Sequence, residues 1–297
     1  MGYWEDREQE HIELMKEHSI DYEKEISKRY AQSLKEIEND INRFYANYAK
    51  TEGISILEAK KRASTMDVQK FADKAAQYVK DKDFSSQANK ELRLYNLTMK
   101  VNRLELLKSN IGLELTALSD DMVKYYYNQL TGEALAEIER QAGILGESVW
   151  KDKKAVKEII EGSFHNATFS QRIWANQAAL KAEIDKLLIT SLTQGKHPRT
   201  LASKLMELFD VSRKEAERLL ITESTRIQTE TQKKSFEKYG YKEYTYIAEP
   251  SACPICKALD DEKFKVADMA PGTNAAPMHP HCRCSVAAHY DRGKWRQ

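Results

Sequence analysis

Cysteine and proline are almost missing from most of this 297-residue chain. Before residue 250 there is no cysteine, and Pro198 is the one proline. The 11 glycines are too scattered to cradle a phosphate, and no Walker loop, Gly-x-Gly-x-x-Gly or Gly-x-Ser-x-Gly occurs. No apolar run approaches the ~18 residues that a membrane-spanning helix needs. The opening Met1-Gly2-Tyr3-Trp4-Glu5-Asp6-Arg7 lacks the basic and apolar stretches of a signal peptide, and Arg7 stands where a myristoylation site requires Ser or Thr. An excess of one charge is missing too. Lys+Arg number 47 against 46 Asp+Glu, a formal +1, so bulk charge marks neither a dedicated nucleic-acid binder nor a membrane binder. These absences predict a chain that is neither membrane-bound nor secreted, with its cysteines kept reduced.

What the first 249 residues hold instead is charge laid out with helical periodicity. Charged residues make up 31% and hydrophobic ones 41%, the profile of a helix-rich chain with much surface. Ile26, Tyr30, Leu34, Ile37, Ile41, Phe44 and Tyr48 follow at steps of three or four, which places them on one face of an amphipathic helix. Gly53 interrupts the pattern. Ser55 with Glu58 forms a capping box for a helix carrying Met66, Phe71 and Val79, and a third long helix holds Leu94, Leu97, Val101, Leu104, Ile111, Leu115 and Leu118. Shorter helices are predicted over 120–145, 154–162 and 169–194. Gly195-Lys196-His197-Pro198 stops the last of these, and Thr200 is placed to cap a helix over 201–209. Ser212 with Glu215 then opens a final helix, rich in polar residues, that ends at Tyr239-Gly240. The tryptophans Trp4, Trp150, Trp174 and Trp295 and the run Tyr125-Tyr126-Tyr127 read as packing residues.

All four cysteines and five of the six prolines fall between residues 250 and 284. That shift marks a small, turn-rich C-terminal module. Tyr244, Tyr246 and Ala248 alternate with Glu243, Thr245 and Ile247 as in a short strand, and Ser285-Val286-Ala287-Ala288 is a second candidate. The fold class expected is mainly α: an elongated helical body of long amphipathic helices with a small C-terminal α+β zinc-stapled module. Its regions are an N-terminal long-helix region (1–160), a helical core (161–238) and a zinc-binding module (239–297).

The chemistry lies in Cys253-Pro254-Ile255-Cys256, followed after 22 residues by His279-Pro280-His281-Cys282-Arg283-Cys284. Two cysteines three apart form a knuckle whose sulfurs reach one tetrahedral ion, and His279 with Cys282 repeats that separation. A structural zinc on Cys253, Cys256, His279 and Cys282 fits best, with Cys284 or His281 open as an alternative ligand. Three thiolates and a divalent ion leave a local charge of about −1, which Arg283 is placed to offset. A Cys282–Cys284 disulfide is sterically poor. A redox Cys-x-x-Cys favours a strand-to-helix setting, whereas Pro250 and Pro254 surround this one with turns. His11-Ile12-Glu13 matches the short half of a zinc-deaminase signature, but no proline precedes Cys253 as that signature requires. An enzyme is therefore not expected.

With these residues in view, the C-terminal half resembles the phage head-morphogenesis family of minor head proteins, the Mu F-like group. The landmarks run from Gln194-Gly195 through Thr222-Glu223, Tyr239-Gly240 and the Tyr/Thr strand to Cys253-Pro254-Ile255-Cys256, Leu259 and Phe264. They end in Pro277-Met278-His279-Pro280-His281-Cys282-Arg283-Cys284. The paired pattern Cys-Pro-x-Cys and His-Pro-x-Cys-Arg-Cys is the specific part, and in it His281 falls at the variable position. Ile221 stands where the family often has Arg, and Asp260-Asp261 where a glycine commonly follows. The opening Tyr3-Trp4-Glu5 and the stem Phe44-Tyr45-Ala46-Asn47-Tyr48-Ala49 look like the leading half of such proteins from phages of Gram-positive bacteria. The resemblance implies a virion component in few copies, present in the host cytoplasm during assembly. It also implies partners: portal protein, scaffold, major capsid protein and packaged DNA. DNA contact, by Arg283, Arg292, Lys294 and Arg296, is expected to be weak and blind to sequence. The alternative is an intracellular zinc-stabilised nucleic-acid-binding protein. Residues 239–297 carry eight Lys/Arg and seven Asp/Glu, which disfavours it.

Overall fold

The computed structural model describes residues 3–49, 73, 74, 76, 77, 80, 85, 86, 103–146, 149, 150, 152–193 and 198–289. The features expected at Gly53, Ser55, Glu58, Met66, Phe71, Val79, Leu94, Leu97, Val101 and 194–197, and the tail with Arg292, Lys294, Trp295 and Arg296, lie outside these residues. The chain is mainly helical, with a small three-stranded antiparallel sheet near its C-terminus. Its longer helices are α1 (Tyr3–Ala49), α2 (Arg103–Leu145), α3 (Lys153–Ile160), α4 (Phe169–Thr193) and α5 (Pro198–Lys238). The C-terminal elements are β1 (Glu243–Ile247), α6 (Pro254–Lys257), β2 (Lys263–Lys265) and β3 (Ser285–His289). No helix among the described residues is long and apolar enough to cross a membrane.

The residues form two compact units, each assembled from separated stretches of chain. One comprises Met1–Lys24, Tyr125–Arg172 and Glu217–Gln297, the other Glu25–Lys124 and Ile173–Ala216. In the second unit the predicted stripe of α1 packs inward, with Ile26, Ile37 and Ile41 buried. The Tyr30 ring meets Phe209 edge-on at 6.2 Å. Its hydroxyl lies 3.2 Å from Ser212 Oγ and accepts a hydrogen bond from Asn176 Nδ2 at 3.3 Å. This contact corrects the expected helix boundary. Ser212 is buried and its hydroxyl serves Tyr30, so it opens no new helix, and α5 runs unbroken through residues 209–212. Thr200 likewise sits inside the first turn, because Pro198 begins α5 with the backbone angle a first helical residue needs. Where two helices were read over 94–118 and 120–145, α2 is continuous across Asp120. Nothing in the sequence there removes a backbone donor.

The first unit carries the C-terminal elements. α3 is capped by Asp152, whose Oδ1 accepts from the amides of Lys154 and Ala155 at 3.0 Å. Its other end is closed by the buried Arg226 of α5, which donates to the carbonyls of Ile159 and Ile160 at 2.9 and 3.3 Å and pairs with Glu223 at 2.7 Å. A Cβ at Gly162 would meet Arg226 Nη1 at 3.2 Å, so this closure leaves room only for glycine without a shift. α5 stops at Gly240, φ +80°. There the Tyr241 amide reaches Phe236 O, the Gly240 amide reaches Glu237 O, and the Phe236 and Tyr241 rings pack 6.3 Å apart. That turn launches β1.

The sheet has the order β2-β1-β3, with Tyr244 opposite Phe264 and Ala288, and Tyr246 opposite Val286. β1 is the predicted strand but is buried on both faces rather than one. Tyr244 and Tyr246 enter a core with Phe236, Val266, Met269, Val286 and the sulfurs of Cys256, Cys282 and Cys284. Ile247 on the opposite face packs with Ile12 of α1, Ala287 and Trp4. β2 was not foreseen.

A buried carboxyl in this unit gives a pH signature. Tyr22 donates its hydroxyl to Glu133 Oε1, and burial pushes the Glu133 carboxyl up to about 7 against a downward pull from the Ser224 hydroxyl. A raised folded-state value means that its contribution to stability is whole below the unfolded value of about 4.5 and is lost as pH rises through 7. Glu133→Gln should therefore gain on the parent chain between pH 5 and pH 8, by up to roughly 3 kcal/mol. Urea unfolding midpoints at the two pH values check this; equal gaps at both would show that Glu133 is not the titrating group.

Candidate metal centre

Two short turns bring the cysteines and His279 together. Cys253 is the extended residue before α6, and Pro254 at the first helical position fixes the entry of that single turn. The amides of Cys256 and Ile255 then face the Cys253 sulfur and hold its thiol below its ordinary range. At the second turn, His281 takes a left-handed φ of +64° and the Cys282 amide donates to His279 O at 3.1 Å.

The result is two overlapping triads, Cys253–Cys256–His279 and Cys256–Cys282–Cys284, whose ligand atoms lie within 4.8 Å of one another in each set. Either could hold a metal ion. His279 Nε2 lies 3.2 Å from Cys253 Sγ and 3.4 Å from Cys256 Sγ, and Cys256 and Cys282 sulfurs are 3.8 Å apart. Zinc–sulfur bonds of ~2.3 Å and zinc–nitrogen bonds of ~2.0 Å imply tetrahedral edges of about 3.5–3.8 Å. The 3.4 and 3.8 Å separations are of that size, and the 3.2 Å one between His279 and Cys253 is shorter. His279 Nδ1 donates to Pro280 O at 2.8 Å, which leaves the lone pair on Nε2, the nitrogen that faces the sulfurs.

Burial and charge act in opposite directions on the thiols. Cys256, Cys282 and Cys284 are all but inaccessible, while Cys253 and His279 are half-buried. Burial pushes Cys256 up to about 12. Cys282 is held down to about 5, first by the Cys284 thiol, against the effect of burial, and then by the amides of Met278 and Cys284. Cys284 is raised by its hydrogen bond to Cys282 and by burial. It also accepts the Glu249 amide at 3.4 Å. Of the two alternative ligands, Cys284 lies in the second triad, and His281 is exposed and lies in neither. Arg283 is half-buried, with its Nε shielded from solvent.

The residues that hold the second turn come from α5. Thr222 Oγ1 accepts the His281 amide at 3.1 Å, and Thr225 Oγ1 donates to Cys282 O at 2.7 Å. Gln228 and Gln232 donate to Ser285 Oγ at 2.8 and 3.1 Å. These positions are three or four apart and share one helix face. Thr222-Glu223 were landmarks in the sequence, but nothing there marked Gln228, Gln232 or Ser285. Ser285 in turn donates to Glu8 Oε2 of α1 at 2.6 Å, and Glu8 also takes Arg140 at 2.9 Å. Arg140 pairs with Glu137 as well, at 2.7 Å, so two buried carboxylates share one guanidinium. Beside them His11 is kept neutral, its imidazole lowered to about 4 by burial and then by Arg140.

Removing Glu8 takes a partner from Arg140, Gln232 and Ser285 at once, leaving Arg140 with Glu137 alone and the buried Ser285 hydroxyl without its acceptor. Glu8→Ala is expected to cost about 3 kcal/mol and Glu8→Gln distinctly less, read as shifts in denaturant midpoint.

The family model described as phage Mu protein F like protein matches residues 182–287, about a third of the chain. The matched segment takes in α5, β1, β2, the start of β3, all four cysteines and His279, and the resemblance carried by the motifs is thereby confirmed. No curated protein and no solved structure matches the chain.

Proposed function

We propose, from the phage Mu F-like family to which the segment 182–287 belongs, that this chain is a phage minor head protein. On this reading it enters the procapsid and virion in few copies, is bound to the portal, and acts in head assembly and in DNA packaging or ejection. The match over residues 182–287 carries the proposal. The helical architecture supports it, as does a cysteine and histidine cluster that occupies a packed core rather than an open cleft. The role is structural and not enzymatic, in keeping with what is typical of the family. Scaffold and major capsid protein are the further partners, and Arg283 with the tail residues Arg292, Lys294 and Arg296 makes weak contact with packaged DNA.

The metal reading is a single structural zinc held by Cys253, Cys256, His279 and Cys282. When bound, zinc cross-links the two turns and supplies folding free energy that a three-stranded sheet of this size lacks. Cys284 then remains outside the ligand set, a buried thiol with the Glu249 amide as its donor.

Mass spectrometry of gradient-purified phage particles and empty procapsids tests the assignment. The protein should co-sediment with both, at a few copies relative to the major capsid protein. Absence from both, with the chain left in the soluble host fraction, would overturn it and favour the nucleic-acid-binding alternative. For the metal, elemental analysis should find one zinc per chain, lost in Cys282→Ser. Hydrogen exchange after chelation should show protection falling over 243–289. Because Gln9 donates to Ala248 O at 2.9 Å and Ile12 packs on Ile247, it should also fall in the first 24 residues and over 217–238. Wild-type zinc content in Cys282→Ser would refute this ligand set.

A further inference from the structure

Two tyrosines on β1 project into the same core, and only one has a conventional partner. Tyr244 donates its hydroxyl to Asn274 O at 3.2 Å. Tyr246, two residues on and on the same face, is fully buried, and its hydroxyl makes no hydrogen bond of normal geometry. An orphaned buried hydroxyl is destabilising, so its surroundings call for an explanation. Cys256, Cys282 and Cys284 line the same buried core, and the sulfurs of Cys256 and Cys284 are the groups within reach of the hydroxyl.

Sulfur in a neutral thiol is a poor acceptor, whereas a thiolate accepts well. A phenol aimed at thiols is therefore badly served while they are protonated and well served once a metal ion has made them thiolates. The amides facing Cys253 and the Glu249 amide on Cys284 supply donors to two other sulfurs. Cys256 is fully buried and common to both triads. It has no comparable backbone donor among the described contacts of its sulfur, so Tyr246 is the donor available to it.

We propose that the Tyr246 hydroxyl is a positioning donor to the metal-bound thiolate of Cys256, forming a hydrogen bond that ion binding completes. The inference rests on the zinc reading above and adds to it a residue outside the ligand set. Partners of this kind typically change metal affinity by about 10–100-fold. Their effect also reaches the electronic structure of the metal–sulfur bond, because a hydrogen bond lowers the energy of the sulfur lone pair.

The test is Tyr246→Phe in the full chain, which deletes one oxygen and keeps the ring. Zinc affinity, measured by competition with a chelating dye, should fall by about tenfold or more. In the cobalt(II)-loaded proteins, the thiolate-to-cobalt charge-transfer bands should move to lower energy. The melting temperatures should change in opposite senses: no lower than the parent without metal, since an orphaned hydroxyl is gone, and lower with it. A merely structural tyrosine would leave the cobalt bands in place and lower both melting temperatures. Unchanged affinity and bands, in a parent chain that binds one cobalt through thiolates, would overturn the role of Tyr246 alone. A parent chain that binds no cobalt, or binds it without thiolate bands, would overturn the metal reading and this inference together.

Discussion

Ser285 stands where three stretches of chain, far apart in sequence, meet. Its hydroxyl gives a proton to Glu8 of α1 and receives bonds from Gln228 and Gln232 of α5. It also follows directly on Cys284. A hydroxyl has one donor and two acceptor sites, and here all three are used in a site without solvent. None of the partners can move without leaving another unsatisfied. The position of β3, and with it that of the second cysteine turn, is therefore set by buried polar bonds as much as by apolar packing. Thr222 and Thr225 extend the same control one and two turns back along α5, to His281 and Cys282.

This arrangement makes the metal centre part of a larger unit. A cysteine module hung on a helical chain would be expected to melt by itself. Here its sheet is covered on one face by Ile12 and Trp4, and α5 holds its turns. A disturbance at the sulfurs is then felt in helices that carry none of them. In the same way Arg140, shared by Glu8 and Glu137, ties α2 to a strand that begins one residue after Cys284. Glu133 shows what that guanidinium does. Without such a cation its buried carboxyl is driven toward neutrality, while Arg140 itself is held in its charged form by the two carboxylates it serves.

The sequence was informative where the governing physics is short-range. Cys253 and Cys256 stand three positions apart, and the single turn of α6 between them brings both into one triad with His279, a placement written locally. The stripe of α1 was legible for the same reason, since helical spacing repeats within a few residues. Gly240 was legible as a helix stop because only a left-handed residue closes that turn. What could not be read was set by distant partners. Ser212 has the look of a cap until Tyr30 is seen to occupy it. Lys263-Phe264-Lys265 is too short to show alternation and becomes a strand only because β1 offers it an edge. Thr222, Thr225, Gln228, Thr229, Gln232 and Ser235 belong to a helix whose sequence shows only that it is rich in polar residues, yet all are buried.

That buried polar face also bears on why the sulfurs sit where they do. The inaccessible thiols of Cys256 and Cys282, if ionised, need compensation from whatever lies within a few ångströms, because water is excluded. The amides of the two turns, the Cys284 thiol and the Tyr246 phenol are the groups in reach, and each is fixed by the backbone of α6, β1 or the His279–Cys282 turn. An apolar core of the same volume would hold the sheet together but would offer a thiolate nothing. Thr222 and Thr225 of α5 instead satisfy the His281 amide and the Cys282 carbonyl of the second turn. The polar composition of α5 therefore follows from the buried backbone groups and the Ser285 hydroxyl that it has to satisfy.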